Sequence, residues 1–334
     1  MKRFIAIIIA LMLTLSSVTI VNASDIPKDL SEIKTKTFDD ENYKRLSEED
    51  VFYSKLDEIG LSSSYQSLLY RKMFSEICNA KTISTITSYY VESNEDILQT
   101  TKETYEETVI KEKNNIILKE KKSKEQASQR GSQNIILSPG ATDEINQGTL
   151  NIVILLVSSN NIDFTCAAMF QWETMPSARH NDAFGLSRDG STTSVVAQSA
   201  CGAYDIYCRT SYLSGTDYVT YDYVESNEVG FADLKSSPDG YAYEFQLPPD
   251  STQSNYPYAN STITFYEAAG VLMYDGNINN NNILSVNHWA TYGHKRFSIL
   301  VDSIDFSIPF SAGFSIKFLG YYNQLTEEHT WRIK

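Results

Sequence analysis

Hydrophobic and polar positions change rhythm once along the chain, near residue 120. Upstream, Ser47-Glu48-Glu49-Asp50 fits a helix-capping pattern, and Val51, Phe52, Leu56 and Ile59 follow at three- and four-residue spacing before Gly60. Apolar residues so spaced share one helix face, a serine cap satisfies free N–H groups of the first turn, and glycine supplies the stop. The pattern predicts a helix over 48–59. Leu68, Leu69, Met73 and Ile77 repeat it behind the serines at 62–64 and predict a second helix over 65–78. Residues 82–91 turn β-branched and aromatic, the composition of a strand. Residues 95–118 keep two readings open. Thr101, Glu103, Tyr105, Glu107 and Val109 alternate as in a strand, while the composition is that of a charged helix.

Residues 119–132 read KEKKSKEQASQRGS, with no apolar side chain larger than Ala127. Such a segment has nothing to bury and reads as a charged linker. It is also the one basic stretch, suited to an anionic wall polymer or a protease. From 133 to 334 the period is two: Phe164, Cys166, Ala168, Phe170 and Trp172 share one phase, as do Tyr241, Tyr243, Phe245 and Leu247. Ile304, Phe306, Ile308 and Phe310, then Phe314, Ile316 and Phe318, do the same. Alternation of this kind turns one set of side chains inward and the other outward. Asp189-Gly190, Asp239-Gly240 and Asp275-Gly276 read as hairpin turns, and no helical segments are available for parallel crossovers. The expected fold is mainly β: an antiparallel sandwich of about nine to twelve strands over 133–334, preceded by a small α-containing (α+β) region over 24–118.

The first residues are an address. Lys2 and Arg3 precede an apolar run from Phe4 to Leu15, and Val21-Asn22-Ala23 precedes Ser24, the three-part pattern of a secretory signal over 1–23 cut between Ala23 and Ser24. No cysteine stands near the cut to carry a lipid, so the expectation is a secreted, extracellular chain with no stable membrane insertion after cleavage. Composition adds two exclusions. Twelve per cent aromatics with 15 Gly and 8 Pro rule out pervasive disorder and collagen-like repeats. The formal charge of −14, with 42 acidic against 28 basic residues, argues against nucleic acid and anionic lipid as partners. Most of it, −12, falls within 133–334.

Candidate chemistry is sparse. Gly185-Leu186-Ser187-Arg188-Asp189 lacks the closing glycine of a nucleophile elbow, and phosphate-loop, zinc-protease and dinucleotide motifs are missing, so no cofactor is expected. His288 and His294 share a strand face but sit roughly 20 Å apart at about 3.3 Å per residue, too far for one zinc ion. Asp275, Asn277 and Asn279 have the one-three-five spacing of a calcium loop, although Asn280 and Val286 stand where its glycine and bidentate glutamate belong. Cys201 and Cys208 form a disulfide only if the chain bends near Gly202.

The segment from Trp172 to Asp182 groups Trp172, Arg179, His180 and Asp182 in a loop leaving a strand, and this is the candidate binding site. In the alternative reading Trp172 closes the core and Arg179 pairs with Asp182. Carboxylates at Glu173, Asp182, Asp189, Glu244 and Glu267 leave room for a glycosidase pair. Tyrosines cluster at 204, 207, 212, 218, 221 and 223, suited to glycan or protein contact and equally to strands. The functional expectation is a secreted or envelope-associated, non-enzymatic binding module contacting protein or glycan at the cell envelope. The alternatives are a secreted glycan hydrolase with an Asp/Glu pair, and an N-terminal pro-region released at the linker.

Overall fold

A computed structural model describes residues 31–92, 97–105, 107–108, 110–111, 148–214, 217–253, 261–280, 282–295, 304–307, 315–318 and 322–332. The leader with its cut at Ala23 and Ser24, and the basic stretch 119–132, lie outside these residues.

Both helices form where their caps stand. Helix α1 (Glu48–Ile59) opens on Ser47, whose Oγ accepts from the Asp50 N–H at 3.1 Å, and closes on Gly60 in the left-handed region at φ 77°. Helix α2 (Ser63–Cys78) opens on Ser62 and is kinked at Met73. Strands β1 (Glu32–Thr37) and β2 (Thr82–Glu92) flank the helix pair in sequence. The ambiguous segment after residue 95 resolves in part: β3 (Ile97–Thr100) is a short strand, with a helical turn beginning at Tyr105.

The β-rich region supplies β4 (Thr149–Ser158), β5 (Asp163–Thr174), β6 (Asn181–Arg188), β7 (Thr193–Val195), β8 (Cys201–Ser214) and β9 (Asp217–Val229). It continues with β10 (Lys235–Ser237), β11 (Gly240–Gln246), β12 (Ser251–Gln253), β13 (Ser261–Ile278), β14 (Ser285–Lys295), β15 (Ile304–Ser307), β16 (Ser315–Phe318) and β17 (Tyr322–Arg332). These are fourteen strands among the described residues, not nine to twelve. The surplus consists of five pieces of three or four residues, too short to show a periodicity.

All pairings are antiparallel. The large sheet runs β1-β2-β4-β5-β13-β8-β9, with β3 added to β2 and with β7 and β12 added to β13. The small sheet runs β10-β11-β6-β14-β17, while β15 and β16 pair with each other. Asp239 and Gly240 close the β10–β11 hairpin and Asp189-Gly190 leads the turn out of β6, as expected. Asp275-Gly276 is no turn, because it lies inside β13. Glycine is needed there for a different reason: a Cβ on Gly276 would come within 2.5 Å of the Phe164 ring.

The two sheets are packed face to face as a sandwich. Even-numbered side chains of β4 and β5, including Ile152, Ile154, Phe170 and Trp172, meet Phe184, Leu186, Tyr243, Tyr292 and Trp331 from the small sheet. The odd-numbered face of the large sheet, with Ile83, Val153, Leu155, Met169 and Val271, receives Phe52, Leu56, Leu68, Leu69 and Ile77 of the helices. The protein therefore has three layers: helices, large sheet and small sheet. Strand β4 is buried at every position because it is covered on both sides, which explains its unbroken apolar run. The same layering crosses the charged stretch. β2 pairs with β4 from Thr82↔Ser158 to Val91↔Thr149, so residues before and after 119–132 share one sheet and one helix-side core rather than forming two separately packed regions.

Candidate functional site

Of the four residues grouped by the Trp172–Asp182 segment, the structure brings two together in the interior. Asp182 and Trp172 are fully buried. One Asp182 oxygen accepts from the Tyr292 hydroxyl at 2.6 Å and lies 2.9 Å from His294 Nδ1, and the other accepts from the Lys295 N–H at 3.1 Å. Trp172 Nε1 donates to the Tyr292 oxygen at 2.7 Å. Burial holds the Tyr292 hydroxyl far above its ordinary pKa, with the nearby Asp182 charge adding to the effect, so it stays a donor. A buried carboxylate satisfied by several donors ties β5, β6 and β14 together, and neither Trp172 nor Asp182 has a surface to offer a ligand.

Arg179 and His180 go elsewhere. Arg179 pairs with Asp250 at 2.5 Å rather than with Asp182, and the Asp250 carboxylate also accepts from the Phe265 N–H at 2.9 Å. The His180 carbonyl accepts from the Leu247 N–H at 3.0 Å. The pair expected within the loop is thus replaced by one that anchors it to the residues before β12.

The calcium spacing falls on an extended strand and its exit. Asp275 accepts from Thr165 Oγ1, Asn277 donates to Asp163, and Asn279 donates to the carbonyls of Gly190 and Ser191. Four extended residues span about 13 Å, so these groups do not wrap one ion. Among the described residues, no group of three or more His, Cys, Asp and Glu side chains could hold a metal. Cys201 and Cys208 are free thiols. Strand β8 runs unbroken through Gly202, which leaves Cys201 against the helix-side core and Cys208 against the inter-sheet core, without the bend on which the possible disulfide depended.

Polar groups, some buried and some reaching solvent, converge instead on the helix-bearing face of the large sheet, beyond the N-terminus of α2. The last paired positions of β5 and β13 there are Trp172 and Ala268; Glu173 and Glu267 follow just beyond, close enough for the charge of Glu267 to act on the Glu173 carboxyl. Asn151 of β4 donates to Glu173 at 2.9 Å, as does the Tyr105 hydroxyl at 3.2 Å. Gln171 donates to Glu267 at 2.8 Å and accepts from Ser62 Oγ at 2.7 Å; Ser64 also donates to Glu267. Although Glu173 reaches solvent, partial desolvation by the surrounding protein raises its carboxyl above the ordinary value. The Glu267 charge raises it further, while the bonds from Tyr105 and Asn151 oppose the shift.

Next to this pair a cleft of about 350 Å³ opens between α2 and the β8–β9 ribbon. Ser63, Ser64, Ser67 and Arg71 line it from the helix, Asp205 and Tyr207 from β8, and Val224 and Ser226 from β9. Arg71 and Asp205 are paired across its floor at 2.7 Å, with Asp205 nearly buried. Desolvation raises the Tyr207 hydroxyl, which leaves it a neutral donor and acceptor at the cleft wall.

Sequence reasoning named Glu173, Glu267 and Tyr207 without placing them together, and passed over Asn151 and Gln171. The signal for those two amides was present, since each interrupts the helix-side phase of a strand otherwise apolar on both faces. Serines at 63, 64 and 67 likewise mark one side of the first turns of α2. No protein-family model matches the chain. No curated protein matches it either.

Proposed function

We propose that the protein is a secreted or envelope-associated binding protein that contacts polyhydroxylated or peptide ligands rather than transforming them. The observation carrying this reading is the cleft between α2 and β8–β9, where serine hydroxyls, a tyrosine and a paired arginine and aspartate line one concave surface. Hydroxyl, guanidinium and carboxylate groups around an aromatic ring suit the alternating polar edges and apolar faces of a sugar. The arrangement is also held in place, because Arg71 is tied to Asp205 and Glu267 to Gln171, so little ordering accompanies binding. Screening the mature protein against soluble wall and plant oligosaccharides by calorimetry tests it. Binding is expected for at least one of them, weakened about tenfold by Tyr207→Ala. Titrations without heat or competition across the panel would remove the glycan reading of the cleft.

A second reading has its own support. Glu173 and Glu267 lie close enough for one charge to raise the other's carboxyl, and retaining glycosidases use two neighbouring carboxyls about 5–5.5 Å apart. Glu173, shifted upward, would serve as the acid and Glu267 as the nucleophile. Sugar release from the same panel, lost in both Glu173→Gln and Glu267→Gln, would replace the binding reading with this one.

A further inference from the structure

Of the clustered tyrosines of the β8–β9 ribbon, Tyr207 lines the cleft and Tyr204 and Tyr223 pack against the core, while Tyr212 and Tyr221 serve neither. Strand β9 is the last strand of the large sheet, and among the described residues it pairs with β8 alone. Thirteen residues long, it presents an open row of backbone donors and acceptors of the kind that captures another strand. The face it turns toward the sandwich carries Asp217, Val219, Tyr221, Tyr223 and Glu225 in alternation. Tyr223 packs against the inter-sheet core, whereas Val219 is 37% and Tyr221 43% exposed. Tyr221 rests against Tyr212 and Tyr223 with ring centroids 6.3 and 6.0 Å apart, and the three rings make an aromatic platform.

Charge selects what can lie on this edge. Strand β9 carries Asp217, Asp222, Glu225 and Glu228 and no basic residue. Arg209 pairs with Asp222, and Lys72 and Arg71 pair with Glu228, all on the helix side of the ribbon. Asp217 and Glu225 have no ion pair among the described residues. They bracket the aromatic platform eight positions apart, about 27 Å along an extended chain. A second copy offering the same edge would set four carboxylates beside four, which disfavours self-pairing.

We propose that the edge of β9 left unpaired among the described residues takes up an extended peptide strand from a partner, with cationic residues eight positions apart and β-branched or aromatic residues between them. Backbone pairing to β9 supplies the affinity, the tyrosine platform takes the apolar side chains, and Asp217 and Glu225 fix the register through the two cations. The proposal rests on the reading of the protein as a binding protein but uses a different surface from the cleft, so either can fail without the other.

A labelled peptide Lys-Thr-Val-Thr-Tyr-Thr-Val-Thr-Lys, titrated onto the full mature chain and read by fluorescence anisotropy, tests it. Binding is expected, weakened about tenfold in a Asp217→Asn/Glu225→Gln double variant and reduced by added salt. The double reversal Asp217→Lys/Glu225→Lys should exchange preference to the same peptide with glutamate at both ends. Unchanged circular dichroism confirms that each variant is folded, and oligosaccharide binding at the cleft is expected to persist in both. Failure of the lysine peptide to bind overturns the proposal, as does equal binding of the lysine and glutamate peptides to the native chain. Concentration-dependent self-association of the native chain that the double reversal abolishes would assign the edge to a second copy and overturn it too.

Discussion

His288 shows how a single buried side chain governs the response to pH. It is fully buried on the inner face of β14 against Phe164 and Tyr274, and neither ring nitrogen has a hydrogen-bond partner among the described residues. Burial pushes its pKa from 6.5 down to about 3, helped by His329 and Arg188, and burial takes His329 to about 4. Both groups are neutral in the folded chain and take up protons on unfolding once the pH drops below 6.5. Their contribution is therefore present above pH 6.5 and lost as pH falls toward the folded values, at up to about 1.4 kcal/mol per pH unit for each. His288→Phe fills the same apolar site without stranded polar atoms, and is expected to gain about 1–3 kcal/mol at neutral pH. In urea unfolding at pH 7 and pH 5, the variant should lose less stability between the two than the native chain does. Equal losses would contradict this account of His288. Nothing in the local sequence marks His288 as buried and unpartnered, since that depends on Phe164 and Tyr274 arriving from strands more than a hundred and about fifteen positions away.

At the scale of elements, β13 is the spine of the large sheet, pairing with β5 along one side and with β8 along the other. Gly270 sits at its centre because a Cβ there would run into the Phe170 ring and lie 2.7 Å from the Tyr243 hydroxyl. Gly270→Ala should cost about 1–3 kcal/mol in thermal or denaturant unfolding with little change in circular dichroism, and a neutral result would show that the rings can move aside. Local chemistry made much of this level legible. Ser47 and Gly60 mark the ends of α1 because capping involves only neighbours, and the β5 and β11 phases are legible because their large apolar side chains fall on the face that meets the small-sheet core. Asp275-Gly276 was misleading for a physical reason: its glycine answers a contact across the sandwich, which local turn chemistry does not record. The proximity of Glu173 and Glu267 was equally out of reach, because it arises from the pairing of β5 with β13, strands almost a hundred residues apart. Trp172 and Asp182 both bond Tyr292, and whether such a cluster faces water or core is decided by which layer covers it.

The whole molecule unfolds as its layers dictate. The helices cover apolar side chains that come from β2, β4, β5, β8 and β13 alike, and β2 is inserted between β1 and β4. Helical and sheet signals are therefore expected to disappear in one coincident transition. A chain cut by an inserted protease site within 119–132 should keep its two pieces together through gel filtration and separate only in denaturant; pieces that part under native conditions would show that the shared sheet is weak. That expectation bears directly on the pro-region reading, since cleavage at the linker would leave β1, β2 and both helices in place.

Strand β17 gives the chain a schedule. It lies at the C-terminal end of the described residues, pairs with β14, and brings Glu327, His329 and Trp331 to the inner face, where Trp331 meets Phe164. As the ribosome works from the N-terminus, the helix-side layers can assemble while the space between the sheets still lacks its final side chains. Completion of the interior has to wait for β17, and a chain interrupted before it would hold the edge of β14 open to other strands.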